Sequence, residues 1–167
     1  MSQSLDSELQ AKVAHAVSLL KDAYQQYGEV TFANSLGAED VVISDLICRF
    51  VPEIEIFSLD TGRLPEETLS LLAKLEERYD RKVKVYYPDA TAVEAYVREN
   101  GINAFYQSQE MRKSCCHVRK VEPLKRALKD KKAWITGIRR EQAMTRGEVA
   151  FSEWDEGNQL QKINPLA

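Results

Sequence analysis

The chain has 167 residues and a formal net charge of −3, with 44% hydrophobic and 29% charged residues. This length suits one domain with a buried core, and the composition is that of an ordinary globular protein. The charge excludes a general attraction to nucleic acid or anionic membranes, and no stretch approaches the roughly 20 apolar residues of a membrane span.

The first half of the chain alternates helices and strands. Apolar residues at helical spacing predict a helix over 5–27, and Gly28 is a suitable end for it. The pattern then predicts a strand over 29–34, a helix over 38–50, a strand over 53–59 and a helix over 65–79 that starts with Pro65.

The second half continues the alternation. The pattern predicts a strand over 82–88, with Val83, Val85 and Tyr87 on one face, and a helix over 90–100 ended by Gly101. It then predicts a helical basic segment over 114–128, which Pro123 kinks or restarts, and a strand over 133–137. A hairpin of 149–154 and 160–164 follows, with its turn at 155–158. We therefore predict one α/β domain over 1–167, an open and mostly parallel sheet with helices on both faces.

The loops after the predicted strands carry polar residues. "SLGAED" (35–40) combines Ser35 and Gly37 with a helix N-terminus, which favours an anion, although an ordinary strand-to-helix turn has the same pattern. "LDTGR" (59–63) places Asp60 and Thr61 at the end of a strand, where either a ligand contact or a capped turn fits.

A third loop, "TGIRREQAMTR" (136–146), contains Arg139, Arg140 and Arg146, which fit either a phosphate or sulfate clamp or a solvated basic face. Ligands of such sheets bind beyond the carboxyl ends of the strands. We therefore expect the residues of the three loops to converge on one cleft for an anionic, nucleotide-like ligand: Ser35, Gly37, Asp60, Thr61 and Gly137.

The chain has three cysteines, Cys48, Cys115 and Cys116, and two of them are adjacent in the basic segment "KSCCHVRKVEP". A disulfide between neighbours is strained, and the pair misses the usual zinc spacing. The bland alternative is two small core residues. The odd, sparse count and an N-terminus without a secretory signal predict a cytoplasmic protein.

Four stretches resemble one family in the same order, from Val30 to Pro165: "SLGAEDVV", "FSLDTGRLPEET", "CCHVRKVEPLKRAL" and "WITGIRREQAMTR". They are similar to the assimilatory adenylyl-sulfate and phosphoadenylyl-sulfate reductases. The resemblance implies a PP-loop-like fold of the adenine nucleotide alpha-hydrolase type. The double cysteine marks the iron–sulfur branch, which mostly reduces adenylyl sulfate.

The resemblance also implies a [4Fe–4S] cluster with Cys115 and Cys116 as two of its four ligands. In the family, the second cysteine pair and the nucleophilic cysteine follow the "NPL" segment. This chain has no cysteine after Cys116. It therefore corresponds to the N-terminal two-thirds of such an enzyme, so we assign no catalytic residue, expect the cluster to be absent or incomplete in the chain alone, and leave Cys48 as a core residue.

The implied substrate site includes Ser35 and Gly37 at the phosphosulfate, Leu59, Asp60, Thr61 and Gly137 near the adenosine, and Lys120, Arg139 and Arg146 as neutralising cations. The implied reaction is thioredoxin-dependent reduction of adenylyl sulfate to sulfite and AMP in cysteine biosynthesis. The alternatives are a phosphoadenylyl-sulfate reductase, an adenine-nucleotide-binding module without redox chemistry, and a zinc-binding interaction domain using Cys115, Cys116 and His117. No nucleic-acid or membrane partner is expected.

Overall fold

The structure is a computed structural model, and it describes residues 6–139 and 149–167. Its helices are α1 (Ser7–Tyr27), α2 (Ala38–Phe50), α3 (Glu66–Tyr79), α4 (Ala90–Asn100), α5 (Gln109–Cys116) and α6 (Glu122–Leu128). Its strands are β1 (Val30–Ala33), β2 (Glu55–Leu59), β3 (Lys84–Tyr86), β4 (Ala133–Ile135), β5 (Ser152–Asp155) and β6 (Leu160–Ile163).

The strands form one sheet in the order β3-β2-β1-β4-β6-β5. β4 pairs in parallel with both β1 and β6, and β2 pairs in parallel with β3. β5 pairs antiparallel with β6, and Trp154 lies opposite Gln161. The predicted open, mostly parallel α/β sheet with a C-terminal hairpin is confirmed.

The predicted helices agree closely with the structure because their ends are set locally. Gly28 and Gly101 have positive φ angles of 69° and 87°, and their N–H groups bond to carbonyls of the last turns of α1 and α4. Pro65 precedes α3 as its N-cap instead of opening its first turn.

The sequence predictions were less accurate at the ends of the strands and before the cysteines. Each of the strands β1 to β6 is shorter than predicted, and Tyr87, assigned to a strand face, is exposed beyond the end of β3. The pattern also missed a 3₁₀ turn over Ala104–Tyr106 and the start of α5 at Gln109. Short elements with few apolar residues give a weak periodic signal.

The chain divides into two compact units, which we call unit 1 (Met1–Ile56 and Asp130–Ala167) and unit 2 (Phe57–Lys129). Unit 1 has a core of apolar side chains from its strands and from α1 and α2: Leu20, Phe32, Ile43, Ile47, Ile56 and Ile135. Unit 2 buries a smaller set of apolar side chains: Phe57, Leu75, Val83, Tyr96, Ala104, Ala127 and Leu128. Cys48, expected in the core, is only half-buried.

Among residues 6–139 and 149–167, the structure contains no helix that is both long and apolar enough to cross a membrane.

Candidate functional site

The loop between β1 and α2 in unit 1 is held by side-chain hydrogen bonds. The backbone N–H and the hydroxyl of Ser35 both donate to Asp40 Oδ2, each at 2.6 Å. Leu36 adopts a positive φ of 66°, and its N–H donates to Asn34 Oδ1 at 2.8 Å. A non-glycine residue seldom adopts this conformation, so the three hydrogen bonds fix an unfavourable turn at the start of α2.

Hydrogen bonds between buried polar groups stabilise this loop. Asn34 Nδ2 donates to Ser44 Oγ at 2.9 Å, and Ser44 Oγ donates to the Asp40 carbonyl at 2.7 Å. Asn34, Asp40 and Ser44 are all buried, whereas Ser35 and Gly37 are exposed. The loop therefore presents Ser35 to solvent on a rigid, fully hydrogen-bonded base.

Gly137, two residues after β4, meets the same loop. A Cβ built on Gly137 would overlap Asp40 Oδ1, so only glycine allows the backbone to pass the carboxylate here. Arg139 Nη2 lies 2.8 Å from Glu39 Oε1 and forms an ion pair with it. The structure thus brings Ser35, Gly37, Gly137 and Arg139 together in unit 1.

Asp40 carries the most perturbed charge of this group. Burial raises the pKa of Asp40, the two hydrogen bonds from Ser35 lower it, and the neighbouring negative charge of Glu39 raises it further, so the pKa lies above its ordinary value. In the sequence, Asp40 is distinguished only as an acidic residue close to a predicted helix N-terminus. Its contact with Ser35 is a tertiary feature of the loop, which sequence periodicity does not report.

The Asp-Thr-Gly turn after β2 lies in unit 2 and satisfies its own backbone. Gly62 N–H donates to Asp60 Oδ1 at 2.8 Å, and Arg63 N–H donates to Thr61 Oγ1 at 3.1 Å. Asp60 N–H donates to the Tyr86 carbonyl of β3 at 3.0 Å. The Asp60 and Thr61 side chains therefore hold the turn, as in the capped-turn alternative. They accept from N–H groups of the turn itself and not from those of a helix.

Two arginines fix this turn to the rest of unit 2. Arg119 Nη1 donates to the Thr61 carbonyl at 2.7 Å, while its buried Nε has no hydrogen-bond partner among the described residues. Arg63 Nη2 donates to Asn103 Oδ1 at 3.1 Å, and its guanidinium lies 4.9 Å from the centre of the Phe105 ring. Nothing in the sequence connects Arg119 with Thr61.

The cysteine pair occupies the last turn of α5. Cys115 is half-buried and Cys116 is exposed. Cys116 keeps regular α-helical angles, φ −61° and ψ −39°. A π-helical turn over His117–Val121 follows, and α6 then begins at Glu122 with Pro123 in its first turn. The departure from regular helix, which the sequence predicted at Pro123, therefore begins earlier, directly after the cysteine pair. Wide turns of this kind often mark functional sites.

Tyr96 connects α4 to the cysteine helix. Its hydroxyl donates to the Met111 carbonyl at 3.0 Å. Burial raises the pKa of Tyr96, negative charge at Cys115 raises it further, and the Arg119 guanidinium lowers it. Arg119 and Cys115 thus both lie close enough to Tyr96 for their charges to act on its hydroxyl.

The donor set of this chain fits half of an iron–sulfur cluster. Two adjacent thiols beside a basic segment suit two of the four thiolates of a [4Fe–4S] cluster. The third cysteine, Cys48, belongs to α2 in unit 1. Over the residues that the structure describes, no three His, Cys, Asp or Glu side chains group closely enough to hold a metal ion, which gives the zinc alternative no support.

The remaining predicted site residues are partly located. Leu59, Asp60, Thr61 and the exposed Lys120 belong to unit 2. Arg140 and Arg146 lie outside the described residues. The convergence of the two groups of residues on one cleft stays a prediction.

The chain matches the family model of the phosphoadenosine phosphosulfate reductase domain over residues 29–167. It is 49% identical over 164 residues to the adenosine 5′-phosphosulfate reductase of Burkholderia cepacia, covering 98% of this chain and 66% of that protein. It is 47% identical over 159 residues to the same-named protein of Allochromatium vinosum, covering 95% and 62%. The chain thus spans less than two thirds of the length of these curated relatives.

Solved structures with low sequence identity share the fold. The phosphoadenylyl-sulfate reductase of Candida auris, in a phosphate complex, matches with a TM-score of 0.76 at 24% identity, over 99% of this chain and 82% of that one. The NH3-dependent NAD synthetase of Campylobacter jejuni matches with a TM-score of 0.59 at 13% identity, over 87% and 63%. The expected PP-loop-like fold is confirmed.

Proposed function

The chain belongs to the phosphoadenosine phosphosulfate reductase domain family, and from that premise we propose that it binds adenylyl sulfate for thioredoxin-dependent reduction to sulfite and AMP. The observation that carries the proposal is the 49% identity to a protein named adenosine 5′-phosphosulfate reductase across 98% of this chain. The place of this reaction is sulfate assimilation toward cysteine. Its compartment is the cytoplasm, where cysteines that form no disulfide stay reduced.

The exposed, hydrogen-bonded loop after β1 is the proposed contact for the phosphosulfate, through Ser35 and Gly37. Lys120 and Arg139, with Arg146 from outside the described residues, are the proposed cations, because a phosphosulfate is stabilised by basic side chains at its charged oxygens. Arg139 is paired with Glu39 in the structure. To bind the phosphosulfate, Arg139 must therefore give up its ion pair with the Glu39 carboxylate.

The adenosine is assigned to Leu59, Asp60, Thr61 and Gly137. The Asp60 and Thr61 side chains hold the turn of backbone after β2, so their proposed role is to present that backbone to the nucleotide and not to bond it with their own oxygens. Arg119 supports the same turn through the Thr61 carbonyl. The nucleotide would therefore meet a pre-formed surface, which reduces the entropy lost on binding.

Cys115 and Cys116 are the proposed ligands of a [4Fe–4S] cluster in the complete enzyme. When bound, the cluster supplies an iron–sulfur centre held by thiolates, and its remaining two ligands are not among the cysteines of this chain.

The reduction itself proceeds in two steps of thiol chemistry. A cysteine thiolate attacks the sulfate sulfur, the bond from that sulfur to the phosphate oxygen breaks, and AMP leaves with the electron pair. One thiolate of reduced thioredoxin then attacks the cysteine sulfur of the S-sulfocysteine, and sulfite leaves. The second thioredoxin thiol releases the enzyme cysteine and closes the thioredoxin disulfide. We assign the attacking cysteine to none of the three in this chain, so the chain's own part is to bind and orient the nucleotide.

Calorimetric titration of the 167-residue chain tests the binding half of the proposal. We expect adenylyl sulfate and AMP to bind, and 3′-phosphoadenylyl sulfate to bind less well. Lys120→Ala should lower the affinity for adenylyl sulfate by about tenfold, because one charge-assisted contact is lost, and should leave the affinity for adenosine unchanged. Lys125→Ala, an exposed lysine of α6, is the matched control and should change neither.

Three outcomes would contradict this assignment. Absence of binding by any adenine nucleotide would remove the proposed function. Tighter binding of the 3′-phosphorylated ligand would favour the phosphoadenylyl-sulfate reductase alternative. Equal losses for adenylyl sulfate and adenosine in Lys120→Ala would show that Lys120 supports the fold and not the phosphosulfate.

A further inference from the structure

The loop after β1 holds a buried carboxylate at the residue proposed to meet an anion. Asp40 Oδ2 accepts both the backbone N–H and the hydroxyl of Ser35, each at 2.6 Å. A serine hydroxyl has a single hydrogen, and the oxygens of a phosphosulfate are acceptors. While Asp40 accepts both donors, Ser35 has none to offer such a ligand.

We infer that Asp40 competes with anionic ligands for the Ser35 donors and thereby sets how strongly the β1–α2 loop binds a phosphate or sulfate group. The inference rests on the proposed function for the class of ligand. It gives Asp40 the role of a positioning residue that limits anion affinity, which goes beyond the roles assigned to Ser35 and Gly37.

The packing around Asp40 fixes the competitor in place. The Asp40 carbonyl accepts from the buried Ser44 hydroxyl at 2.7 Å, and Asp40 Oδ1 lies against the Gly137 backbone. Asp40 is 6% exposed, whereas Ser35 is exposed. The carboxylate therefore has no room to withdraw. For an arriving anion to accept from the Ser35 hydroxyl, the Ser35 side chain must rotate away from Asp40.

The charges at the loop also weaken the binding of an anion. Asp40 and Glu39 are both acidic, and the Arg139 guanidinium that lies nearby is already paired with Glu39 at 2.8 Å. Burial raises the pKa of Asp40, so its negative charge is poorly stabilised where it lies. A second anion next to it adds like-charge repulsion to the loss of the Ser35 hydrogen bonds.

Binding of inorganic sulfate to the wild-type chain and to Asp40→Asn, by titration calorimetry and by the sulfate-induced shift in Tm, tests this inference. The substitution keeps the shape of the side chain, removes the charge and replaces charge-assisted hydrogen bonds with weaker neutral ones. We expect sulfate to bind the variant about tenfold more tightly. Asp45→Asn removes a charge from α2 at an exposed pair with Arg49 and should leave sulfate affinity unchanged.

Ser35→Ala identifies the donors through which Asp40 acts. In the wild-type background, we expect a loss of sulfate affinity below about twofold, because the bond lost to the ligand is offset by the one lost to Asp40. In the Asp40→Asn background, the same change should reverse most of the gain. If Asp40→Asn does not fold, the single Ser35→Ala variant decides, and a loss of sulfate affinity above about twofold would overturn the inference.

Equal or weaker sulfate binding by a folded Asp40→Asn protein would also overturn the inference, as would an equal gain from Asp45→Asn. Titration of the wild-type chain with adenylyl sulfate tests the proposed function separately. A chain that fails to bind adenylyl sulfate but shows the sulfate gain in Asp40→Asn would retain the role of Asp40 and lose the proposed substrate.

Discussion

Gly137 shows how one residue depends on a contact that is distant in sequence. Its Cα passes the Asp40 carboxylate so closely that an added Cβ would overlap Oδ1. The carboxylate cannot move away freely, because its other oxygen accepts two hydrogen bonds from Ser35. A side chain at this position must therefore strain the loop or break those bonds.

We predict that Gly137→Ala lowers the free energy of unfolding by about 1–3 kcal/mol, the usual result of overpacking a tight contact. The matched control is Gly157→Ala, where the nearest atom to an added Cβ is also an aspartate oxygen, Asp155 Oδ1, at an ordinary 3.5 Å. That control should stay within about 0.5 kcal/mol of wild type in urea denaturation. Equal effects at both positions would contradict the close approach at Gly137.

At the scale of an element, the β5–β6 hairpin is held by Asp155 at its turn. The Asp155 carboxylate accepts from Asn158 N–H at 3.1 Å and Nδ2 at 2.9 Å, and from Trp134 Nε1 of β4 at 3.2 Å. Burial raises the pKa of Asp155, but the bonds from Asn158 and Trp134 and the positive charge of Lys162 outweigh it, so the pKa lies below its ordinary value.

The sign of this pKa shift fixes a pH dependence. A depressed carboxyl pKa means that the charged form is favoured by folding, so its contribution is present above the unfolded pKa of about 3.9 and is lost as pH falls through the folded value. Asp155→Asn should therefore lower stability by about 1–2 kcal/mol at neutral pH, and the difference from wild type should shrink in acid.

Urea denaturation followed by circular dichroism at several pH values measures this effect. Glu156→Gln, in the same turn but exposed, is the control and should change stability by less than about 0.5 kcal/mol at neutral pH. A destabilisation by Asp155→Asn that stays constant into acid would show that the turn depends on the side-chain shape of Asp155 and not on its charge.

At the scale of the whole molecule, the three thiols decide what metal chemistry the chain supports. Cys115 and Cys116 offer two thiolates where a [4Fe–4S] cluster needs four. We predict that the 167-residue chain, treated with iron and sulfide without oxygen, keeps less than a full cluster per chain by iron and sulfide analysis. We also expect no sulfite release from adenylyl sulfate with thioredoxin.

Thiol alkylation of the same protein gives an independent readout. Exposed Cys116 should react fastest, ahead of the half-buried Cys115 and Cys48, because the reagent reaches an exposed thiol more readily. Cys116→Ser should remove the fast phase. A full complement of four irons, or protection of Cys116 after reconstitution, would mean that further ligands come from a second chain.

The sequence by itself determined the order and kind of the main elements. The helices over Ser7–Tyr27, Ala38–Phe50 and Ala90–Asn100 follow from apolar spacing and from glycine or capping residues, which act over one helical turn. The strand–helix alternation then fixed the mostly parallel sheet, because parallel neighbours require crossover helices. The motifs also identified the family, because each motif is a run of adjacent residues that can be recognised without the tertiary structure.

Only the tertiary structure decided what the polar side chains contact. Arg119 reaches the Thr61 carbonyl across 58 residues, and Arg63 reaches Asn103 across 40. Gly137 meets Asp40 from a different strand–helix loop. Periodicity and capping depend on interactions within a few residues, whereas hydrogen-bond partners depend on which loops the sheet brings together. The competition between Asp40 and a ligand for Ser35 is a property of that assembly.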